Sequence, residues 1–427
     1  VQLSLNPSFR TEQFLGDTAM PLTFIDLFSG AGGLGLGFEM AGFEQILALE
    51  EDKWACETHR HNFPNVHVIE SDIKAISKKS IRGLVKKKVD VIIGGPPCQG
   101  FSHANIKNKD PKDPRNSLFL DFLNWVDALQ PKMFLIENVP ALLKTKTNNG
   151  LNVIDVILNE ITNAGYTPSY QVLDAKNYGV PQSRPRLFIV GVKHSKEPSK
   201  KFIFPNPTHG DITTDDLFSS NLDPIVTLWD ALSDLPQETH EEFSPLSSYV
   251  CQPRNHFQKL MRSNANGKLT NAEPMRHTKR IIERFKSIGI GQSEQHVQIE
   301  HSPKKRGNPN SLSEKKYSQN GRRQDPNRAC NAVVASSHSN FIHPYLHRNF
   351  TVRELLRIQS FPDNFELKGK RAVLSKKLSI KKGLLDEIFL DQRMQVGNAV
   401  PPLLAKAMAE EIKTTLTCGK DNVVESA

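Results

Sequence analysis

At 427 residues the chain exceeds what one hydrophobic core usually organises, so a large domain plus a smaller one is the expectation. Its five cysteines, Cys56, Cys98, Cys251, Cys330 and Cys418, form no C-x-x-C pair, which argues against a disulfide framework or a zinc cluster, and no apolar run approaches the roughly 20 residues a bilayer requires. The net charge of +9 is unevenly placed: seventeen Lys and Arg face six Asp and Glu between Cys251 and Cys330, whereas Asp211 to Glu242 carries nine carboxylates and no Lys or Arg.

These features point to a soluble protein of a reducing cytoplasm with no membrane partner. Val1 in place of Met suggests a processed or trimmed start. A dense cation cluster interleaved with Gln, Asn and Gly, as in "GRRQDPNRACN" and "SPKKRGNPN", suits a polyanion, although a solvated basic face is as common a reason for such a stretch.

In chain order, "TFIDLF" (23–28) is a buried-strand run followed by a glycine loop and "LGLGFEMAGF", which has helical spacing. "ILALE" (46–50) is the next strand and "DKWACETHRHNF" a polar helix, on which His59 and His61 read as surface residues. "VHVIESD", "VDVIIGG", "KMFLIEN" and "RLFIVGV" (186–192) continue the alternation, with helices near Asn116 to Leu129 and Leu151 to Ala164. This pattern predicts an α/β fold, a doubly wound and mainly parallel sheet with ligands above the C-terminal ends of its strands. From about His194 to Arg348 the periodicity dissolves into a loop-rich module. Helical spacing returns in "TVRELLRIQSF" (351–361) and "PPLLAKAMAEEIKTTL" (401–416).

In "DLFSGAGGLGLGFE", Gly30, Gly32 and Gly35 match G-x-G-x-x-G after a strand, and Glu50 follows 20 residues beyond Gly30. Alone, that is a dinucleotide fingerprint of weak specificity. Asp26, just before the turn, would repel a pyrophosphate but suit a ligand bearing an ammonium and a sulfonium. S-adenosylmethionine has that charge pattern; Glu50 could accept from its ribose hydroxyls, and Asp72, with Ile73 beside it, could meet its adenine amino group.

"GGPPCQGFS" (94–102) ends the fourth strand on the same sheet edge. Most buried cysteines are inert packing, but Pro96 and Pro97 restrict the backbone ahead of Cys98, and a nucleophile needs that positioning. Glu137, closing the strand "MFLIEN", would hold a proton if its pocket is buried. Arg184 and Arg186 in "QSRPRLFIVG" could favour a thiolate and hydrogen-bond a carbonyl oxygen. These groups together suit thiolate addition to ring carbon 6 of a cytosine, which makes carbon 5 nucleophilic toward a sulfonium methyl; in a duplex the base must first be flipped out.

Here the chain resembles the cytosine-5 DNA methyltransferases of bacterial restriction–modification systems. The resemblance covers most of Thr23 to Val192 and then Thr351 to the C-terminal helix, and is carried by "FIDLFSGAGGLGLGFEMAGF", "GGPPCQGFS", "ENV", "QSRPRLFIVG", "TVRELLRIQSFPDNF" and "QVGNAVPP" in that order. It implies a Rossmann-like domain made of residues 1–193 and 395–427, and a target-recognition domain and hinge at 194–394 with its basic segment near 251–330. It implies Cys98 as nucleophile, Glu137, Arg184 and Arg186 in the base pocket, and Phe28, Gly30, Ala31, Gly32, Glu50, Glu51, Asp72, Ile73, Pro97 and Asn398 around S-adenosylmethionine, with S-adenosylhomocysteine as product and no metal. Double-stranded DNA is the implied partner of a chain acting as a monomer, with a cognate restriction endonuclease as functional partner. Relatives acting on transfer RNA share the catalytic motifs. Two departures stand out: Glu51 occupies a position where many relatives carry an aromatic, and residues 367–394 are longer and more basic than the family pattern, readable equally as a DNA-backbone contact or a solvated insertion.

Overall fold

A computed structural model describes residues 20–97, 117–147, 150–194, 201–211, 222–245, 248–265, 267–305, 308–312, 318, 320–336, 341–373, 376–384 and 387–417. The alternating strands and helices condense into one seven-stranded sheet. Its strands are β1 (Thr23–Leu27), β2 (Glu44–Glu50), β3 (His67–Glu70), β4 (Val91–Gly94), β5 (Met133–Asn138), β6 (Tyr166–Asp174) and β7 (Pro185–Lys193). They lie in the order β3-β2-β1-β4-β5-β7-β6. The first five run parallel, and β7 is antiparallel to both β5 and β6.

Strand periodicity supplies each face with its own core. Ile25, Leu27, Ile92, Phe134, Ile136, Leu187 and Ile189 point to one side, under α4 (Ser117–Leu129) and α5 (Val153–Asn163), with α3 (Lys78–Leu84) beyond. Phe24, Val91, Ile93, Met133, Leu135, Phe188 and Val190 point to the other, under α1 (Gly33–Met40) and the C-terminal helix, residues Pro402–Thr417. That terminal helix packs on α1 at Gly37, where an added Cβ would stand 2.6 Å from both the Lys406 amide nitrogen and the Pro402 carbonyl oxygen. Two helices can approach this closely only where no side chain intervenes.

The sequence pattern signals no strand at 166–174, yet β6 forms there. It is the sheet's edge, with Pro168 inside it and Tyr170 and Val172 exposed, so it lacks the apolar run of the central strands.

Between His194 and Arg348 regular structure is sparse, as expected: short helices α6 (Leu228–Leu232), α7 (His256–Arg262) and α8 (Lys279–Lys286), and strands of two to five residues. These residues share a core with the sheet domain, in which Leu228, Leu232, Leu235, Phe257 and Phe341 pack with Ala31, Leu36 and Phe63. At its centre lies α9 (Val352–Ile358), every residue of which is buried, including Arg353, Glu354 and Arg357. Arg348 holds the Glu354 carboxylate through two bonds of 2.8 Å, and Arg357 bonds Asp234 and Asp363, so these buried charges meet their opposites. The chain then runs through α10 (Lys376–Lys381) and α11 (Gln392–Asn398) into the terminal helix, α12. No helix among the described residues is long and apolar enough to cross a membrane.

Candidate active site

Above the C-terminal ends of β1 and β2 the chain turns through Phe28, Gly30 and Gly32, all in the left-handed region, with φ of 59°, 53° and 91°. Glycine adopts that region freely; Phe28 does so at a cost, and strain of this kind persists where the surroundings enforce it. The enforcing contacts are visible. Ser29 N donates to the Leu49 carbonyl at 3.1 Å, and Gly30 N to Glu50 Oε2 at 2.8 Å. Glu50 Oε1 accepts from the amides of Glu51 and Asp52, both at 2.9 Å, so its carboxylate ties the glycine loop to the start of α2 (Lys53–Asn62). Burial raises the Glu50 pKa, and the amides of Asp52 and Gly30 oppose the shift.

Ala31 is buried in this loop. Asn398 is exposed at the end of α11, and the next two residues bring it to the loop: a Cβ on Gly33 would meet the Val400 carbonyl and stand 3.2 Å from Ala399 Cβ. Asp72 is exposed and caps a single helical turn through Lys74 N at 3.0 Å, while the neighbouring Ile73 is buried. Glu51 is exposed.

Two sequence expectations are corrected here. His59 is not a surface residue: it is fully buried, its ring 4.5 Å from that of Phe63, and a Cβ on Gly32 would stand 3.1 Å from its Nδ1. Burial pulls its pKa down to about 3, so the ring underpins the glycine loop as a neutral group. His61, by contrast, is partly exposed beside Glu366. Asp26 is not open beside the glycine turn; it is buried under α1, within contact of Gly35 and near Gln45, and burial raises its pKa well above the usual carboxylate value.

The second half of the site is built on β4, β5 and β7. Glu137 Oε1 meets Arg186 Nε at 2.9 Å, with both side chains about one-seventh exposed or less. Burial raises the Glu137 pKa, against the opposing pull of Arg186 and Arg184. Its other oxygen would stand 3.2 Å from a Cβ on Gly95, so the carboxyl lies against the turn leading through buried Pro96 and exposed Pro97. Cys98, the next residue, lies outside the described residues, as does the polar loop that follows it.

Asn138 is a residue whose part the sequence does not reveal. Its Nδ2 donates to the Pro96 carbonyl at 3.1 Å and its Oδ1 accepts from Val139 N at 2.8 Å, holding the proline turn to the end of β5. Arg184, 2% exposed, is placed differently from Arg186. Its guanidinium donates to the carbonyls of Val333 and Gly397, both at 2.6 Å, and Ala399 at 3.2 Å.

A buried carboxyl that retains its proton more readily than usual, an arginine bonded to it, and a proline turn against it are suited to a planar heterocycle with both donor and acceptor edges. The family model for the C-5 cytosine-specific DNA methylases matches residues 22–414. The chain belongs to that family. This methylase is 44% identical over 391 residues to the type II methyltransferase M.DdeI of Desulfomicrobium norvegicum, across 92% of its own length and 88% of the relative's. It is 34% identical to the type II methyltransferase M1.HphI of Haemophilus parahaemolyticus, across 92% and 87%. Among solved structures it is similar to a DNA modification methyltransferase encoded within an E. coli prophage, with 28% identity, a TM-score of 0.66 and coverage of 92% and 99%. The methylase fold therefore matches a DNA methyltransferase along nearly its whole length, and DNA cytosine-5 methylation is its activity.

Proposed function

We propose that this methylase modifies cytosine within a specific duplex sequence, using S-adenosylmethionine as donor and Cys98 as nucleophile, and protects DNA from a cognate restriction endonuclease. The names of the relatives, type II methyltransferases, support the restriction–modification assignment. Residues 1–193 and 395–427 form the catalytic unit and 194–394 the target-recognition unit and hinge; the chain acts as a monomer in the cytoplasm and needs no metal.

The observation that carries the mechanism is the Glu137–Arg186 pair at 2.9 Å beside Gly95, three residues ahead of Cys98. The Cys98 thiolate adds to ring carbon 6 of the flipped cytosine, and its electron pair moves the ring toward a nucleophilic carbon 5. Glu137, its pKa raised by burial, delivers a proton to ring nitrogen 3, and Arg186 donates to the carbonyl oxygen at ring carbon 2. Loss of the carbon 5 proton after alkylation expels Cys98. Asn138 holds the proline turn to β5, and Arg184 holds β7 to the chain segments around Val333 and Gly397.

S-adenosylmethionine supplies an electrophilic methyl group when bound. The residues present fit it: the Glu50 carboxylate oxygens accept three amides and retain lone pairs for the ribose hydroxyls, and the backbone at Gly30 to Gly32 allows close approach. Phe28, Pro97, Ile73 and Glu51 would border the adenine, Asp72 would meet its amino group, and Ala31 and Asn398 would hold the amino-acid end. A duplex carrying 5-fluorocytosine at the target tests the reading, because fluorine at carbon 5 cannot leave as a proton does. A denaturant-resistant adduct mapping to Cys98 and requiring the donor is expected; no adduct, or one on another side chain, refutes it.

A further inference from the structure

The insertion between the last two motifs lies against α2. At the far end of that helix Asn62 exchanges hydrogen bonds with the Glu366 backbone, at 2.8 Å and 3.0 Å. One turn earlier, Thr58 Oγ1 accepts from Lys368 N at 2.9 Å and donates to Gln395 Oε1 at 2.7 Å. Trp54 lies against Gly369, where a Cβ would stand 2.6 Å from its ring, and packs on Phe389 with ring centroids 5.7 Å apart. At the first turn Leu390 N donates to Asp52 Oδ2 at 2.8 Å, while Asp52 Oδ1 caps the helix through Ala55 N at 3.0 Å. Three cations of its flanks meet carboxylates: Lys368 pairs with Glu366, Lys370 with Glu387 and Arg371 with Glu273.

We propose that the two flanks of the insertion, residues 366–371 and 387–391, form a strap that positions the cofactor's ribose acceptor, with Phe389 and Leu390 as positioning residues. The inference rests on the assignment of Glu50 to the ribose. Glu50 Oε1 is held by the amides of Glu51 and Asp52, so the carboxylate follows the turn that precedes α2. Glu51 is exposed and brings no ring to stiffen that turn. The strap grips the turn from outside, through Leu390 on the Asp52 carboxylate and Phe389 on Trp54 and beneath the Lys53 amine, 5.9 Å from the ring centroid.

The test is calorimetry of the full chain with S-adenosylhomocysteine and with its 2′,3′-dideoxy analogue. Phe389→Ala is expected to weaken binding of the first roughly tenfold, the loss of one half-buried contact that aligns a charged acceptor, while changing binding of the second less than about twofold. Phe389→Tyr should restore the difference. Should Phe389→Ala fail to fold, Asp52→Asn keeps the cap on Oδ1 but puts an NH2 donor where Leu390 N needs an acceptor, and should show the same selective loss. Equal losses for both ligands, or none, overturn the strap. A wild-type protein that binds S-adenosylhomocysteine and its dideoxy analogue equally refutes the ribose assignment itself, and the strap with it.

Discussion

Replacing Arg184 by Met tests whether the guanidinium that joins distant chain segments is distinct from the one proposed to act on the base. Its guanidinium is 2% exposed and donates to carbonyls 149, 213 and 215 residues away, at Val333, Gly397 and Ala399. Methionine fills much of the volume but takes their donor from the Val333 and Gly397 carbonyls, at about 1–3 kcal/mol each, while Ala399 keeps Gln359 Nε2 at 3.3 Å. Counting the two bonds of 2.6 Å fully and the third partly, the loss is roughly 3–6 kcal/mol, a large part of the ~5–15 kcal/mol that stabilises an ordinary domain. Equilibrium unfolding in urea should show a midpoint lowered by about 1–2 M, taking an m value of about 3 kcal/mol/M. Turnover of the folded variant, assayed at saturating DNA and donor well below the transition, should fall less than about tenfold. Arg186→Met should do the reverse, with the midpoint little changed and turnover reduced by about a hundredfold, the cost of one transition-state donor. An Arg184→Met protein with a wild-type midpoint and turnover as low as that of Arg186→Met would refute the argument and put both guanidinium groups on the base.

Three further outcomes follow from the geometry. Gly37→Ala should lower the melting temperature, because its Cβ would press into α12 at about 1–3 kcal/mol, outweighing the helix propensity gained; a rise would show that the two helices can part. The Glu354 carboxyl, held down to about 2 by Arg348, contributes stability that is fully present above its ordinary value of 4.5 and lost as pH falls toward 2; urea midpoints of Glu354→Gln should be low at pH 6 and depend less on pH between 4.5 and 2 than wild type. In the proposed mechanism Glu137 acts as the protonated acid, so the single-turnover rate should fall as pH rises through its pKa, and the residual rate of Arg186→Ala should fall at higher pH, since Arg186 pulls that pKa down. A limb moved toward lower pH would contradict the role given to the pair.

What the sequence determined by itself was whatever leaves a local trace. Apolar alternation placed six of the seven sheet strands, glycine and proline marked the two turns that build the site, and six motifs in order were enough to name the family. These signals are legible because each depends on residues a few positions apart: a strand's period of two, a left-handed turn, a proline ahead of a thiol. The tertiary structure alone decided what joins residues far apart. It buried His59 and Asp26, which read from the sequence as a surface group and a ligand-facing charge. It turned part of the basic surplus inward, with Arg323 donating to the carbonyls of Phe285, Ile288 and His343 and Arg284 to that of His301. It placed Arg184 on the chain's closing segment, Arg186 on Glu137, and the insertion on α2. A buried arginine and a solvated one are the same letter, and only the acceptors that folding brings to it, hundreds of residues along the chain, make burial tolerable at one position and unnecessary at the other.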